Sequence, residues 1–135
     1  MRKLNIIGCG NVGQTLGRLW RQQKVFAIGD ILNRSEESGS SAVRFIGAGR
    51  AVTGVAAMSP AEVFFIGTSD DQIVDCCRVL ASSGLLRPGD VVFHCSGAMP
   101  SADLISAKEA GAWIGSVHPV KSFANHDVAL GDFSG

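Results

Sequence analysis

The chain has 135 residues, 46% hydrophobic and 18% charged, with 12 basic residues balancing 12 acidic ones. A chain of this length buries roughly two-thirds of its unfolded surface, enough for one self-sufficient core, and zero formal charge offers no electrostatic attraction to nucleic acid or to an anionic membrane. The opening apolar run is too short for a secretory signal or a membrane span, so a cytoplasmic location is expected.

The most telling segment comes first. Leu4-Asn5-Ile6-Ile7 breaks into Gly8-Cys9-Gly10-Asn11-Val12-Gly13, a predicted strand over Lys3 to Ile7 followed by G-x-G-x-x-G and a helix from Val12 to Gln23. A bare match means little with 17 glycines in the chain; the strand before and the helix after give it weight. In that setting Gly8 permits the tight turn, Gly10 keeps side chains away from a pyrophosphate, and Gly13 lets helix and strand pack closely. The helix N-terminus adds free N–H groups and the positive end of its dipole. Leu16, Leu19 and Trp20 mark the apolar face of this helix.

A second strand is expected over Phe26 to Leu32. Ser35-Glu36-Glu37 then reads as a cap with acids in the first turn of a helix that runs to Ile46 and stops at Gly47 and Gly49. Ala51 to Thr53 is a short third strand, and Ser59 to Glu62 a turn or single helical turn. Val63 to Ile66 is a continuous apolar run, the signature of a central parallel strand covered on both faces. A helix over Asp71 to Ser82, a strand over Val91 to His94, a helix over Ser101 to Ala110 and a strand over Trp113 to Val117 complete the pattern. Six strands with crossover helices predict an α/β fold: a doubly wound, mostly parallel sheet of the Rossmann type in a single three-layer domain, with ligands at the carboxyl ends of the strands. Those ends carry Gly8 to Gly13, Asn33-Arg34-Ser35, Gly67-Thr68-Ser69-Asp70, Cys95-Ser96-Gly97 and His118-Pro119.

The end of the second strand bears on the cofactor. A strand stopping at Gly29 offers Asp30 to a ribose 2′-hydroxyl and implies NAD, whereas one running through Ile31 and Leu32 offers Asn33, Arg34 and Ser35 to a 2′-phosphate and implies NADP. The apolar Ile31-Leu32 pair favours the longer strand, and Arg34 suits a charge-assisted phosphate contact. Arg34 also speaks against S-adenosylmethionine, for which an acid at this point would hold the ribose. Cys9, Cys76, Cys77 and Cys95 form no C-x-x-C pair and no zinc spacing; no metal is expected, and the thiols read as reduced and mainly packing residues.

Two strings, Phe93-His94-Cys95-Ser96-Gly97-Ala98 and Gly115-Ser116-Val117-His118-Pro119-Val120-Lys121-Ser122-Phe123, resemble the Rossmann-like N-terminal domain of a family of NADP-dependent oxidoreductases that carry a helical C-terminal domain. Its wider relatives are the pyrroline-5-carboxylate reductase, 6-phosphogluconate and β-hydroxyacid dehydrogenase-like, and prephenate dehydrogenase groups. The resemblance covers essentially all 135 residues and implies NADP at Gly8, Gly10, Asn11, Val12, Gly13, Asn33, Arg34 and Ser35, with Thr68, Ser69, Ser96 and Gly97 beside the ribose and nicotinamide. By analogy with prephenate dehydrogenase-like enzymes, His118 is the candidate proton acceptor and Ser96 the group that orients it or the substrate. Histidine suits the role because its unperturbed pKa is about 6.5. His94 and Lys121 are weaker candidates, His126 reads as a solvated tail residue and Cys95 as a packing thiol.

Such enzymes need a helical second domain to cover the nicotinamide, shape the pocket for a small-molecule substrate and, in the full-length protein, form a homodimer. With the chain stopping at Gly135, the expectation is cofactor binding with little turnover. A domain that binds the nucleotide without catalysis, as a sensor or scaffold, is the alternative, because the fold does not dictate a reaction.

Overall fold

The computed structural model describes residues 1–8, 10–95, 104–119 and 128–130. Among the described residues seven strands form one sheet: β1 (Arg2–Ile7), β2 (Phe26–Leu32), β3 (Arg50–Val52), β4 (Val63–Ile66), β5 (Val91–His94), β6 (Trp113–Pro119) and β7 (Val128–Leu130). Their order is β3-β2-β1-β4-β5-β6-β7. The first six pair in parallel, and β7 joins β6 antiparallel. The helices are α1 (Asn11–Gln22), α2 (Glu36–Ile46), α3 (Ile73–Ser82) and α4 (Ile105–Glu109).

The expected doubly wound sheet is present, and the structure adds β7, a three-residue edge strand too short for a period-2 pattern to reveal. At Ser59 to Glu62, where a turn or a single helical turn was expected, the chain forms no helix, and a 3₁₀ turn at Val55–Ala57 precedes it.

The core lies in two layers because successive residues of a buried strand face opposite ways. Leu4, Ile6, Ile31, Val63, Phe65 and Phe93 pack with Leu16 and Trp20 of α1 and Ala42 and Ile46 of α2. Ile7, Phe64, Ile66, Val92 and Ile114 pack with Ile73, Cys77 and Leu80 of α3 and Ala107 of α4. Every residue of β4 is thus buried. Trp20 meets the rings of Phe26, Phe65 and Phe93 edge-on. Gly17 lets α1 approach, since a Cβ there would stand 2.8 Å from Ile46 and 3.2 Å from Ile6.

One irregularity shapes the edge of the sheet nearest β3. Between Leu4 and Ile6 the pairing of β1 with β2 slips, so that Gly29 and Asp30 together oppose Asn5. The Asn5 carboxamide fills the gap: its Oδ1 accepts from Asp30 N at 2.8 Å, and its Nδ2 donates to Ser59 O at 2.7 Å. Gly29 has to be small there, because a Cβ would collide with Asn5 Oδ1 and the Lys3 side chain. Asp30, only 4% exposed, accepts from Arg50 Nε at 3.0 Å and Nη2 at 3.1 Å and from Ser59 N at 2.6 Å. These bonds tie β1, β2, β3 and the loop leading to β4 together.

Candidate functional site

The strand order reverses between β1 and β4, and the two chain segments leaving them diverge to opposite faces of the sheet. A cleft of about 530 Å³ opens there, beyond the carboxyl ends of the strands, where open α/β sheets bind ligands. Backbone bonds hold its floor: Gly8 N donates to Leu32 O at 2.8 Å, and Gly67 N to Ile7 O at 2.8 Å.

The glycine turn forms one wall. Gly8 is left-handed (φ 76°), and a Cβ on it would drive into the methyl of Thr68; both conformation and space therefore demand glycine. Gly10 is different. Its φ of −82° is ordinary, and a Cβ there would meet nothing within 4 Å. The protein's own packing does not call for a bare backbone at Gly10, whereas a ligand lying against it would. Gly10 is also the N-cap of α1, a residue with no side chain of its own to cap the helix, and the first turn holds no acid. The first-turn N–H groups of Asn11, Val12 and Gly13 lack intrahelical partners, as in any α-helix. The backbone thus offers donors and a positive dipole end to an anion, and the open Gly10 fits a pyrophosphate.

The opposite wall begins where β2 ends. The strand continues through Leu32, as the apolar pair Ile31-Leu32 predicted, and brings Asn33 and Arg34 onto the cleft. Asp30, the acid of the alternative register, is unavailable. Burial raises its pKa, but hydrogen bonds from Arg50 and the Ser59 N–H, with the charges of Arg50 and Lys3, more than reverse this and hold it below the ordinary 3.8. Ser35 does not line the cleft; its Oγ caps α2 by accepting from Ser38 N at 3.2 Å.

Of the residues expected at a cofactor, Gly8, Gly10, Asn33, Arg34, Thr68 and Ser69 line this one cleft. Val12 is 46% exposed on the first turn of α1. Ser38, Thr53, Gln72 and Cys76 also line it without having been singled out. Gln72 and Cys76 are four residues apart and share a helix face, the one cue in the sequence that could have paired them. Cys76 packs against the α3–α4 layer of the core, as expected, and also borders the cleft, while Cys77 lies in the core and Cys95 packs against the α1–α2 layer. Burial raises the Cys76 pKa, with a counter-pull from the Thr68 hydroxyl and a further push from the Asp75 charge.

Ser96, Gly97, Lys121 and His126 lie outside the described residues, as does the His118 side chain, though His118 belongs to β6 opposite Ala129 of β7. His94 is fully buried at the end of β5. Among the described residues no His, Cys, Asp and Glu cluster could hold a metal, and no helix is long and apolar enough to cross a membrane.

The chain belongs to the Rossmann-like domain family, whose model matches residues 2–119. No curated protein matches the sequence. Among solved structures it is similar to a candidate NADP oxidoreductase from Bacteroides fragilis, at 19% identity and a TM-score of 0.77 over 98% of this chain and 51% of that one. It is also similar to Synechocystis arogenate dehydrogenase (19%, TM-score 0.72, 96% and 43%). A third is the prephenate dehydrogenase from A. aeolicus, solved with hydroxyphenyl propionate and NAD+ (18%, TM-score 0.67, 89% and 42%). The likeness is one of fold, and the chain spans about half or less of each of these structures.

Proposed function

With membership of the Rossmann-like family as the premise, we propose that this chain binds a nicotinamide dinucleotide across the β1–β4 cleft, NADP(H) in preference to NAD(H), as the cofactor domain of an oxidoreductase. The observation that carries the reading is the first strand-to-helix corner, where an open Gly10, the N-cap of α1, faces the cleft at the reversal of strand order. Gly8, Gly10 and the first turn of α1 would hold the pyrophosphate; Asn33 and Arg34 would hold the adenosine ribose. The preference for NADP draws support from Arg34 on the cleft and from Asp30 being engaged elsewhere. The neighbours in fold include one protein described with NADP and one solved with NAD+, which supports the cofactor class and leaves the 2′ position to this chain's own residues.

The nicotinamide supplies hydride transfer when bound, and the chain's residues bind and orient it. The substrate we propose is a small imine, ketone or hydroxy acid, with His118 exchanging the substrate proton and Ser96 orienting it. A second, helical domain would complete the pocket and a homodimer. General acid–base help of this kind is worth roughly 10²- to 10⁴-fold, so His118→Asn should slow hydride transfer by that order and remove an ionisation from its pH profile. Calorimetric titration with NADPH and NADH at matched salt tests the cofactor. Tight NADPH and weak NADH binding is expected; equal affinities overturn the NADP preference, and binding of neither overturns the dinucleotide reading.

A further inference from the structure

Asn5 is fully buried in β1 among Leu4, Ile6 and Ile7, where a central strand covered on both faces calls for an apolar side chain. Its carboxamide sits at the slip in β2. Before the slip Ile28 stands level with Leu4, and beyond it Ile31 stands level with Ile6 and Leu32 with Ile7, so β2 holds one residue more than β1 over the same length. Such a bulge breaks the ladder and leaves an N–H unpaired. Here the Asp30 N–H is taken by Asn5 Oδ1 at 2.8 Å, while Nδ2 ties the corner to Ser59 O at 2.7 Å. A regular ladder would put Asp30 level with Ile6 and turn its carboxylate into the layer of Leu16 and Trp20, because a shift of one residue exchanges the faces of a strand. It would also carry Asn33 and Arg34 one residue, about 3.3 Å, past their present level. The slip therefore sets where the tip of β2 meets the cleft: Leu32 O accepts from Gly8 N at 2.8 Å, and the next two residues, Asn33 and Arg34, line the wall.

Resting on the dinucleotide reading above, we propose that Asn5, which does not itself line the cleft, is a positioning residue for selection of the 2′-phosphate: by holding the slip it fixes Asn33 and Arg34 beside the glycine turn. Gly29 is the matching half of the device, since its missing side chain leaves the space that Asn5 Oδ1 occupies. Asp30, which the slip turns to the other face, is held there by Arg50 and the Ser59 N–H. The acid that could read a 2′-hydroxyl is thus withdrawn by the same irregularity that presents the cation.

Selectivity separates this role from a purely structural one, read by calorimetric titration with NADPH and NADH alongside thermal unfolding of the unliganded protein. Asn5→Ala leaves the Asp30 N–H and the Ser59 carbonyl without their partner. It should melt several degrees lower, and NADPH affinity should fall about five-fold while NADH changes by less than about two-fold. Gly29→Ala, which drives a Cβ into Asn5 Oδ1, should shift the NADPH to NADH ratio the same way. In an Arg34→Ala background Asn5→Ala should cost no NADPH affinity beyond the loss shared with NADH, since it acts through the guanidinium. The unaltered ratio in a folded Asn5→Ala protein overturns the proposal and leaves the dinucleotide reading intact. Failure of both Asn5→Ala and Gly29→Ala to fold makes Asn5 a residue of stability alone, and overturns it as well. Failure of the unaltered chain to bind either dinucleotide overturns the reading beneath.

Discussion

The corners after β1 and after β2 are built from the same parts, a parallel strand, a turn and a helix on the same face of the sheet, yet they treat their polar groups in opposite ways. After β2 the fold satisfies itself: Ser35 caps α2, Glu36 and Glu37 occupy its first turn, and Asp30 is engaged by Arg50 and Ser59. After β1 the N-cap is a glycine with no side chain to cap with, the first turn holds no acid, and open space lies in front of Gly10. A helix whose positive end has no ligand to meet is complemented by its own side chains, as at α2; one left bare beside a cleft is arranged for an anion from outside. Arg34 is the exception at the second corner, an exposed cation facing the same cleft.

The largest effect that would break this contrast is expected from Gly10→Val. It fills the space before the α1 N-terminus and should cost about 100-fold in dinucleotide affinity by calorimetry. Stability should change by less than about 1 kcal/mol, the scale of an N-cap preference, because the backbone there is unstrained. A large loss of stability with affinity intact would mean that Gly10 serves the fold.

Arg34→Ala sharpens the second corner. It should weaken NADPH by about ten-fold and leave NADH nearly unchanged; equal losses would remove the phosphate clamp from the account.

Arg50→Ala exposes what the satisfied side of the contrast contributes. It leaves the Asp30 carboxylate buried with the Ser59 N–H but without its cation, and should lower the melting temperature by several degrees. The same pair sets an acid limit. Because the folded pKa of Asp30 lies below the ordinary 3.8, its stabilisation is complete above that range and disappears as pH falls through the folded value. Unfolding midpoints should therefore drop below about pH 4 in the unaltered chain, and this fall should be lost in Arg50→Ala.

The smallest effect belongs to Ser35→Ala, which removes the α2 cap at about 1 kcal/mol. Dinucleotide affinity should hold, since Ser35 is directed at Ser38 N and does not line the cleft. A matching loss of NADPH affinity would return Ser35 to the site.

Much of the fold was legible because its signals are local. The apolar run Val63 to Ile66 declared a strand covered on both faces, the Ile31-Leu32 pair carried β2 past Asp30, and Ser35 with Gly47 bounded α2. Much of the site was legible for the same reason: Gly8, Gly10, Asn33, Arg34, Thr68 and Ser69 follow strands whose carboxyl ends must converge in a doubly wound sheet. Ser38, Thr53, Gln72 and Cys76 were not, because each owes its place to how a helix or loop packs after the strand order is set.

The sequence by itself thus determined the alternation of strands and helices, the glycine turn and the tip of β2, all properties of neighbouring residues and of steric rules that act within a few bonds. Tertiary structure alone decided that Asp30 pairs with Arg50 through a slip opposite Asn5, that β7 closes the edge antiparallel, and that the Thr68 methyl backs the turn at Gly8. These depend on groups tens of residues apart in the chain, and a pairing at that distance exists only once the sheet has placed both members side by side.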